Sequence, residues 1–279
     1  MAQLSDDCFA FGGDLTPVNE ALAHLARILV PVTEPESVAL PLACGRILAE
    51  AVSASENVPP YDNSAVDGFA VYFDDLAGEG ETKLPITGRA AAGHPLPRDQ
   101  ARGEAIRIFT GAVMPSGVRG SGAHGQDPDT VLMQEDCREA GDMVVIPPGI
   151  RRGANRRSAG EDVSAGSIVL RPGQRLRPQE IGLAAAIGRS RLLVHAPLRT
   201  AIFSTGDEVR DPGTPRVAGT IYDSNRFTLA ALLQGLGCDV DDLGILPDNR
   251  QAIATALSAA AADHDVILTS GGVSTGGED

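Results

Sequence analysis

The chain has 279 residues, 43% of them hydrophobic, with 4% aromatic residues, no Trp, 32 Gly and 19 Pro. One core rarely keeps growing past about 250 residues, so the length and composition predict several small cores of Ala, Val, Leu and Ile joined by many turns. A formal charge of -14 argues against sequence-independent binding of nucleic acid, which draws on Lys and Arg to neutralise phosphates; an anionic ligand then needs a local basic patch or a bridging metal.

At the N-terminus Asp6 and Asp7 stand where a signal peptide would be basic, and no apolar stretch approaches the ~18 residues of a membrane span, so the expected location is cytoplasmic with no membrane partner. Between Thr16 and Val30 the residues Val18, Ala21, Leu22, Leu25, Ala26 and Leu29 recur at spacings of three and four, which predicts an amphipathic helix with Thr16 as N-cap and Pro17 at the first helical position. A short strand is expected over Val38 to Leu42. A second helical turn or two is expected around Gly45 to Ala51, ended by Val58-Pro59-Pro60. From Asp67 to Pro148 short runs separated by Gly or Pro clusters (Gly68 to Tyr72, Ile106 to Phe109, Thr130 to Gln134, Met143 to Ile146) predict a small β-rich unit, with Gly120 to Asp129 as a surface loop.

From Ile150 the chain turns basic. It passes through Ile168 to Leu170 and a helical Pro178 to Gly188 to a boundary near Pro197. Beyond it lie a strand Thr200 to Ser204, a helix Ser224 to Leu236, a strand Asp239 to Leu246, a helix Arg250 to Ala262 and a strand Asp265 to Ser270, an alternation that implies parallel pairing. The predicted fold is therefore α/β and multidomain. Residues 1–55 and 150–196 form an N-terminal mixed helical and β linker domain, 56–149 an inserted β-rich domain, and 197–279 a doubly wound parallel α/β domain that is incomplete at its C-terminus. Cys8, Cys44, Cys137 and Cys238 are far apart, form no CxxC pair and read as ordinary reduced thiols.

In open parallel sheets ligands bind beyond the carboxyl ends of the strands. Those ends carry Ser204-Thr205-Gly206-Asp207-Glu208, Asp248-Asn249 and Ser270-Gly271-Gly272-Val273-Ser274. Glycines there let backbone N–H groups approach an anion, hydroxyls add donors, and carboxylates can hold Mg²⁺ against a phosphate; the plainer reading is tight turns and helix caps. Asp223 suits an N-cap as well as a ligand contact. Arg151, Arg152, Arg156 and Arg157 ahead of Gly160-Glu161-Asp162 make a basic patch in an acidic chain, either a solvated surface or an anion contact. The densest polar cluster, Tyr61-Asp62-Asn63-Ser64-Ala65-Val66-Asp67-Gly68-Phe69-Ala70, reads by itself as two turns before a strand.

Pro60 to Val71, including that cluster, resembles the most distinctive motif of the molybdopterin molybdenumtransferase family, which includes MoeA and the gephyrin E domain. So do Ile108-Phe109-Thr110-Gly111-Ala112, Gly160-Glu161-Asp162, Phe203 to Glu208, Ile221-Tyr222-Asp223-Ser224-Asn225-Arg226 and Ser270 to Ser274, in the family's order. The resemblance implies an enzyme that takes adenylylated molybdopterin and molybdate, inserts the metal into the dithiolene and releases AMP with the help of Mg²⁺. It also implies a sheet domain that binds the pterin, a homodimer in which the β-rich insertion of one subunit covers the site of the other, and an adenylyltransferase as a partner.

By the same resemblance Asp67 is the catalytic acid, and Thr110, Arg157, Asp162, Glu180, Asp223 and Asp265 line or support the site. The strand-end residues Ser204, Thr205, Gly206, Asp207, Glu208, Asn225, Ser270, Gly271, Gly272 and Ser274 bind substrate, with Asp207, Glu208, Asp223 and Glu278 as candidate Mg²⁺ ligands. Ser158 and Ala159 replace arginines that the family often carries, which weakens the basic contact. The sequence ends at Gly276-Gly277-Glu278-Asp279, within the loop after the third strand, which is why an incomplete sheet domain is expected. Two other readings stand beside this one. A single-domain adenylylating enzyme shares the sheet and its Gly-rich loop but lacks the β-rich insertion, and a non-catalytic scaffold would bind without turnover.

Overall fold

The computed structural model describes residues 16–118 and 127–271, and the chain divides into two units, Ser37–Val194 and the described parts of Met1–Glu36 with His195–Asp279. Helix α1 (Val18–Ile28) follows the predicted apolar spacing, but Pro17 occupies the N-cap position in place of Thr16. Its residues Val18, Leu22 and Leu25 stay exposed.

Strand β1 (Pro35–Ala39) starts earlier than the spacing suggests and gives way to a single 3-10 turn, Leu40–Leu42, because Pro41 at the start of that turn fixes φ and has no N–H for a ladder. The helical turns expected around Gly45 to Ala51 do not form. Gly45 sits at φ 84, and Ile47 and Leu48 make bridges to Arg175 and Val194. Leu48 is fully buried while Ile47 is exposed, so this stretch has the two-residue period of extended chain.

The β-rich unit contains β2 (Val52–Ser53), β3 (Asn63–Ser64), β4 (Gly68–Val71), β5 (Thr82–Ala90), β6 (Ala105–Ile108), β7 (Thr130–Met133), β8 (Arg138–Ala140) and β9 (Met143–Ile146). Strands β4 to β9 form one sheet in the order β7-β4-β6-β5-β9-β8, with β5 and β6 parallel and the other neighbours antiparallel. Alternation along β4 sends Phe69 and Val71 into one core with Leu84, Leu132 and Ile146, and Ala70 into a second with Ile106, Ile108 and Val131. Both faces of the strand are therefore covered, which holds its first residue and the preceding Asp67 in a fixed frame. The loop expected over Gly120 to Asp129 lies mostly outside the described residues.

Next come β10 (Arg156–Arg157), paired with β3, and β11 (Ile168–Leu170), paired with β2. Helix α2 (Pro178–Ala186) and β12 (Arg191–His195) follow. Leu48, Val52, Leu170, Leu176, Ala184, Leu192 and Val194 form the core of this part.

The second unit is built on β13 (Arg199–Thr205). After the short β14 (Val209–Arg210) and β15 (Ile221–Tyr222) come α3 (Asn225–Gly235), β16 (Asp239–Leu246), α4 (Arg250–Asp263) and β17 (Val266–Ser270). The parallel sheet has the order β16-β13-β17, with Ala201, Ile202 and Phe203 of the central strand almost wholly buried. Helix α3 packs on β13 and β16, and α4 packs on β17. The fold is thus mixed α/β. Among the described residues no helix is long and apolar enough to cross a membrane.

Candidate functional site

The chain runs from β13 to β16 on one side and then crosses back to place β17 on the other side of β13, so the order of the sheet reverses between β13 and β17. Open α/β sheets form their ligand crevice at such a reversal. Here a cavity of about 150 Å³ lies there, lined by Ser204, Thr205, Glu208, Asp223, Asn225, Ser270 and Gly271 among others. Seven of the residues singled out from the sequence thus come together.

Gly271 adopts φ 100, and a Cβ on it would stand 2.6 Å from the Thr205 carbonyl oxygen. Glycine is what lets the two loops close on each other. Asn225 donates from Nδ2 to Ser270 Oγ at 3.0 Å, tying the start of α3 to the end of β17.

The third strand-end loop is set apart, because Asp248-Asn249 ends β16 on the far side of β13, and Asn249 caps α4 through Gln251 N and Ala252 N at 3.0 Å each. Gly206 and Asp207 line a different cavity with Asp211, Thr214 and Leu246. Of the Mg²⁺ candidates, Glu208 and Asp223 share the crevice, Asp207 does not, and Glu278 lies outside the described residues, as do the expected substrate contacts Gly272 and Ser274. Among the described residues no group of three or more His, Cys, Asp or Glu could hold a metal by itself. Two carboxylates fit the other mode of binding, in which Mg²⁺ takes one or two protein acids and completes its shell with phosphate and water.

Asp223 is 5% exposed. Burial pushes its carboxyl up, but the Arg226 backbone N–H at 3.1 Å, the nearby Ser204 hydroxyl and the Arg226 guanidinium at 3.0 Å together outweigh this and hold it below the usual range. Ser224, not Asp223, takes the N-cap position of α3, and Asp223 stands one residue before it while still accepting from the first-turn Arg226 N–H. Sequence reading missed Arg226 as an individual residue. The Asp223–Arg226 spacing of three at a helix start was the available signal.

Three of the recognised motifs are held together by main-chain bonds and by the Asp62 carboxylate. Ser64 N–H donates to Ala112 O at 2.9 Å and Gly111 N–H to Ser64 O at 2.8 Å, while Asp62 Oδ1 accepts from Ala159 N at 2.7 Å and Gly160 N–H donates to Pro59 O at 2.9 Å. The segment from Pro59 to Asp67 is thereby held between Phe109–Met114 and Asn155–Val163.

At its end, Asp67 Oδ1 accepts from Thr110 N at 2.8 Å and from Thr110 Oγ1 at 2.7 Å. Among the described residues no hydrogen bond reaches Oδ2. The Thr110 backbone N–H, then its hydroxyl, with Arg107 adding attraction, keep the Asp67 carboxyl below its ordinary value despite partial desolvation. A carboxylate held ionised in this way accepts protons or binds cations better than it donates a proton.

This gives a pH test. Because the native carboxyl titrates below its unfolded value, its ionised contacts are present above the ordinary carboxylate range and are lost as pH falls through the lowered native value. Thr110→Val keeps the backbone donor and deletes the hydroxyl, so the acid limb of the pH–activity profile should move to higher pH. An unmoved limb would remove the link between Thr110 and the ionisation of Asp67.

Three of the four arginines of the basic patch are already paired. Arg152 pairs with Asp74 and Asp129, Arg156 with Asp62 at 3.4 Å, and Arg157 with Asp162 at 2.7 Å and Glu161 at 3.5 Å. An anion contact there has to displace these acids. Two further expected residues join neither cluster. Glu180 closes the first turn of α2 by accepting from Arg177 N and its guanidinium, which hold it down at about 2. Asp265 precedes β17, roughly 16 Å along the strand from the crevice, and pairs with Arg199 at 2.8 Å.

The fold defines the chain as a mixed α/β protein with a crevice at the switch point of a parallel sheet, joined to a β-rich unit that displays an ionised aspartate. A family model described as the MoeA N-terminal region (domain I and II) matches residues 16–188, and one described as a probable molybdopterin binding domain matches residues 201–279. The chain belongs to the MoeA family. It is 38% identical over 263 residues to the molybdopterin molybdenumtransferase of Haemophilus influenzae, covering 94% of this chain and 62% of that protein, and 37% identical over 249 residues to that of a Nostoc species, covering 88% and 55%. The molybdopterin biosynthesis MoeA protein of Pyrococcus horikoshii superposes with a TM-score of 0.79 at 29% identity, over 92% of this chain and 67% of that one. The chain spans less than two thirds of the length of these two sequence relatives.

Proposed function

We propose that the chain carries a molybdopterin molybdenumtransferase activity, inserting molybdate into adenylylated molybdopterin with release of AMP. The observation that carries the reading is the switch-point crevice, whose lining of Ser204, Thr205, Asp223, Asn225 and Ser270 falls within the segment similar to a molybdopterin binding domain. The hydroxyls of Ser204, Thr205 and Ser270 and the N–H groups of the glycine loops bind the pterin phosphate. Glu208 and Asp223 hold Mg²⁺, which offsets the charge between acids and phosphate.

Asp67 serves the chemical step. A dithiolene sulfur that replaces an oxygen of molybdate must lose its proton, and the departing oxygen must gain protons to leave as water. A carboxylate kept ionised by Thr110 accepts the first and passes it to the second. The same reading makes the protein a homodimer acting in the cytoplasm, supplied by an adenylylating partner enzyme.

The test is AMP release from adenylylated molybdopterin, assayed with and without molybdate. Release that requires molybdate supports insertion. Release or formation of the adenylylated pterin without molybdate favours an adenylylating enzyme, and binding without release favours a scaffold.

A further inference from the structure

We propose that Arg226 is a positioning residue of the switch-point crevice, fixing Asp223 in its ligand-facing orientation. The inference rests on the reading that this crevice takes the adenylylated pterin. Arg226 is 5% exposed, does not itself line the crevice, and is paired with three carboxylates. Its Nε donates to Asp223 Oδ2 at 3.0 Å and its backbone N–H to Asp223 Oδ1 at 3.1 Å, while Nη1 and Nη2 pair with Asp242 and Asp211.

One guanidinium therefore joins three pieces of chain: the start of α3, the excursion between β14 and β15 that carries Asp211, and β16, where Asp242 also accepts from Gly244 N at 2.9 Å. Both oxygens of Asp223 are engaged from the protein side. A carboxylate offers about four lone-pair sites, so those left over are aimed rather than free to rotate.

The charge balance explains why the anchor is an arginine. Three carboxylates about one cation leave a net charge of -2, and without the cation they repel one another with only partial water screening. Lys offers one compact charge without a planar fork and serves three separate carboxylates poorly.

The experiment is a double-mutant cycle on the affinity for adenylylated molybdopterin, measured by calorimetry on folded protein with melting curves alongside. Arg226→Gln should weaken binding on the order of tenfold, the scale of losing a charge-assisted bond. Arg226→Lys should recover part of the loss. In an Asp223→Asn background Arg226→Gln should change affinity by less than about twofold, because the effect travels through Asp223. A loss in that background as large as in the parent overturns the inference, since a general structural role would be additive.

If Arg226→Gln does not fold, Asp242→Asn replaces it in the cycle. It loosens the clamp from the side away from the crevice, with a few-fold loss expected in the parent and none with Asp223→Asn. A parent chain that binds no adenylylated molybdopterin defeats the reading of the crevice. Arg226 is then judged by amide exchange at Ile221 to Asn225, which Arg226→Lys must accelerate if the anchor holds and which overturns it if unchanged.

Discussion

Replacing Asp67 by Asn is expected to lower turnover by roughly 10²-fold or more, the scale of losing a general acid or base, while substrate affinity holds within a few-fold. The local geometry makes the substitution a clean one. Two donors, Thr110 N and Thr110 Oγ1, converge on Oδ1 of Asp67. An asparagine can satisfy both only by placing its carbonyl oxygen there, which turns its NH₂ group to the corner that Oδ2 occupied. The turn, the strand that follows and the melting temperature should then stay near those of the parent, because the replaced group is on the open side.

What changes is that an acceptor with a full charge becomes a neutral donor at the point offered to the substrate. It can no longer take a proton from a thiol or hold a cation. AMP release and molybdenum incorporation are the measurements. An Asp67→Asn protein with ordinary rates of both would reject a role in the chemical step and leave Asp67 as a turn residue, since Asn and Asp serve turns about equally.

Gly68→Ala, one residue along, is expected to be among the most damaging single substitutions in the β-rich unit. A Cβ built on Gly68 would lie 1.7 Å from the Leu132 carbonyl oxygen and 2.8 Å from the Leu132 carbonyl carbon. No side chain can swing aside, because the obstacle is the backbone of β7. Relief requires β4 and β7 to separate, which opens the bond from Gln134 N to Asp67 O at 3.0 Å and the pairing of Phe69 with Leu132.

Overpacking commonly costs 1–3 kcal/mol, so a clash between main chains should cost about 3 kcal/mol or more, or roughly 6–12 °C in melting temperature for a unit of this size. The same exchange at Gly182 has the opposite expectation. That residue sits inside α2 with open space where a Cβ would go, so Gly182→Ala should stabilise by roughly 0.5–1 kcal/mol through helix propensity. Parental melting behaviour in Gly68→Ala, or a loss in Gly182→Ala as large, would show that the close approach of β4 to β7 is not what requires the glycine.

Local patterns in the sequence determined much of this protein. The alternation of strands and helices from Arg199 to Ser270 was legible because each element carries its own period, and β16 and β9 begin and end where the sequence places them. The helix read into Gly45 to Ala51 failed because partners far along the chain, Arg175 and Val194, draw Ile47 and Leu48 into extended pairing against a weak local preference.

Motif order was sufficient to single out Asp67, Thr110 and Asp223, but not what they do to one another. Strand order decided that the loops after β13 and β17 converge on the crevice while Asp248-Asn249 meets the first of them on its other side, at Asp207, and direction along β17 decided that Asp265 sits far from Ser270. Charge was the other matter left to tertiary structure. The arginines before Gly160 read as a basic patch until the fold brings Asp62, Asp74 and Asp129 against them, and Arg226 reads as an ordinary helix residue until it is enclosed by Asp211, Asp223 and Asp242. Period is a property of neighbours in the chain, whereas ionisation and convergence depend on distances between residues tens of positions apart, and those exist only once the chain has folded.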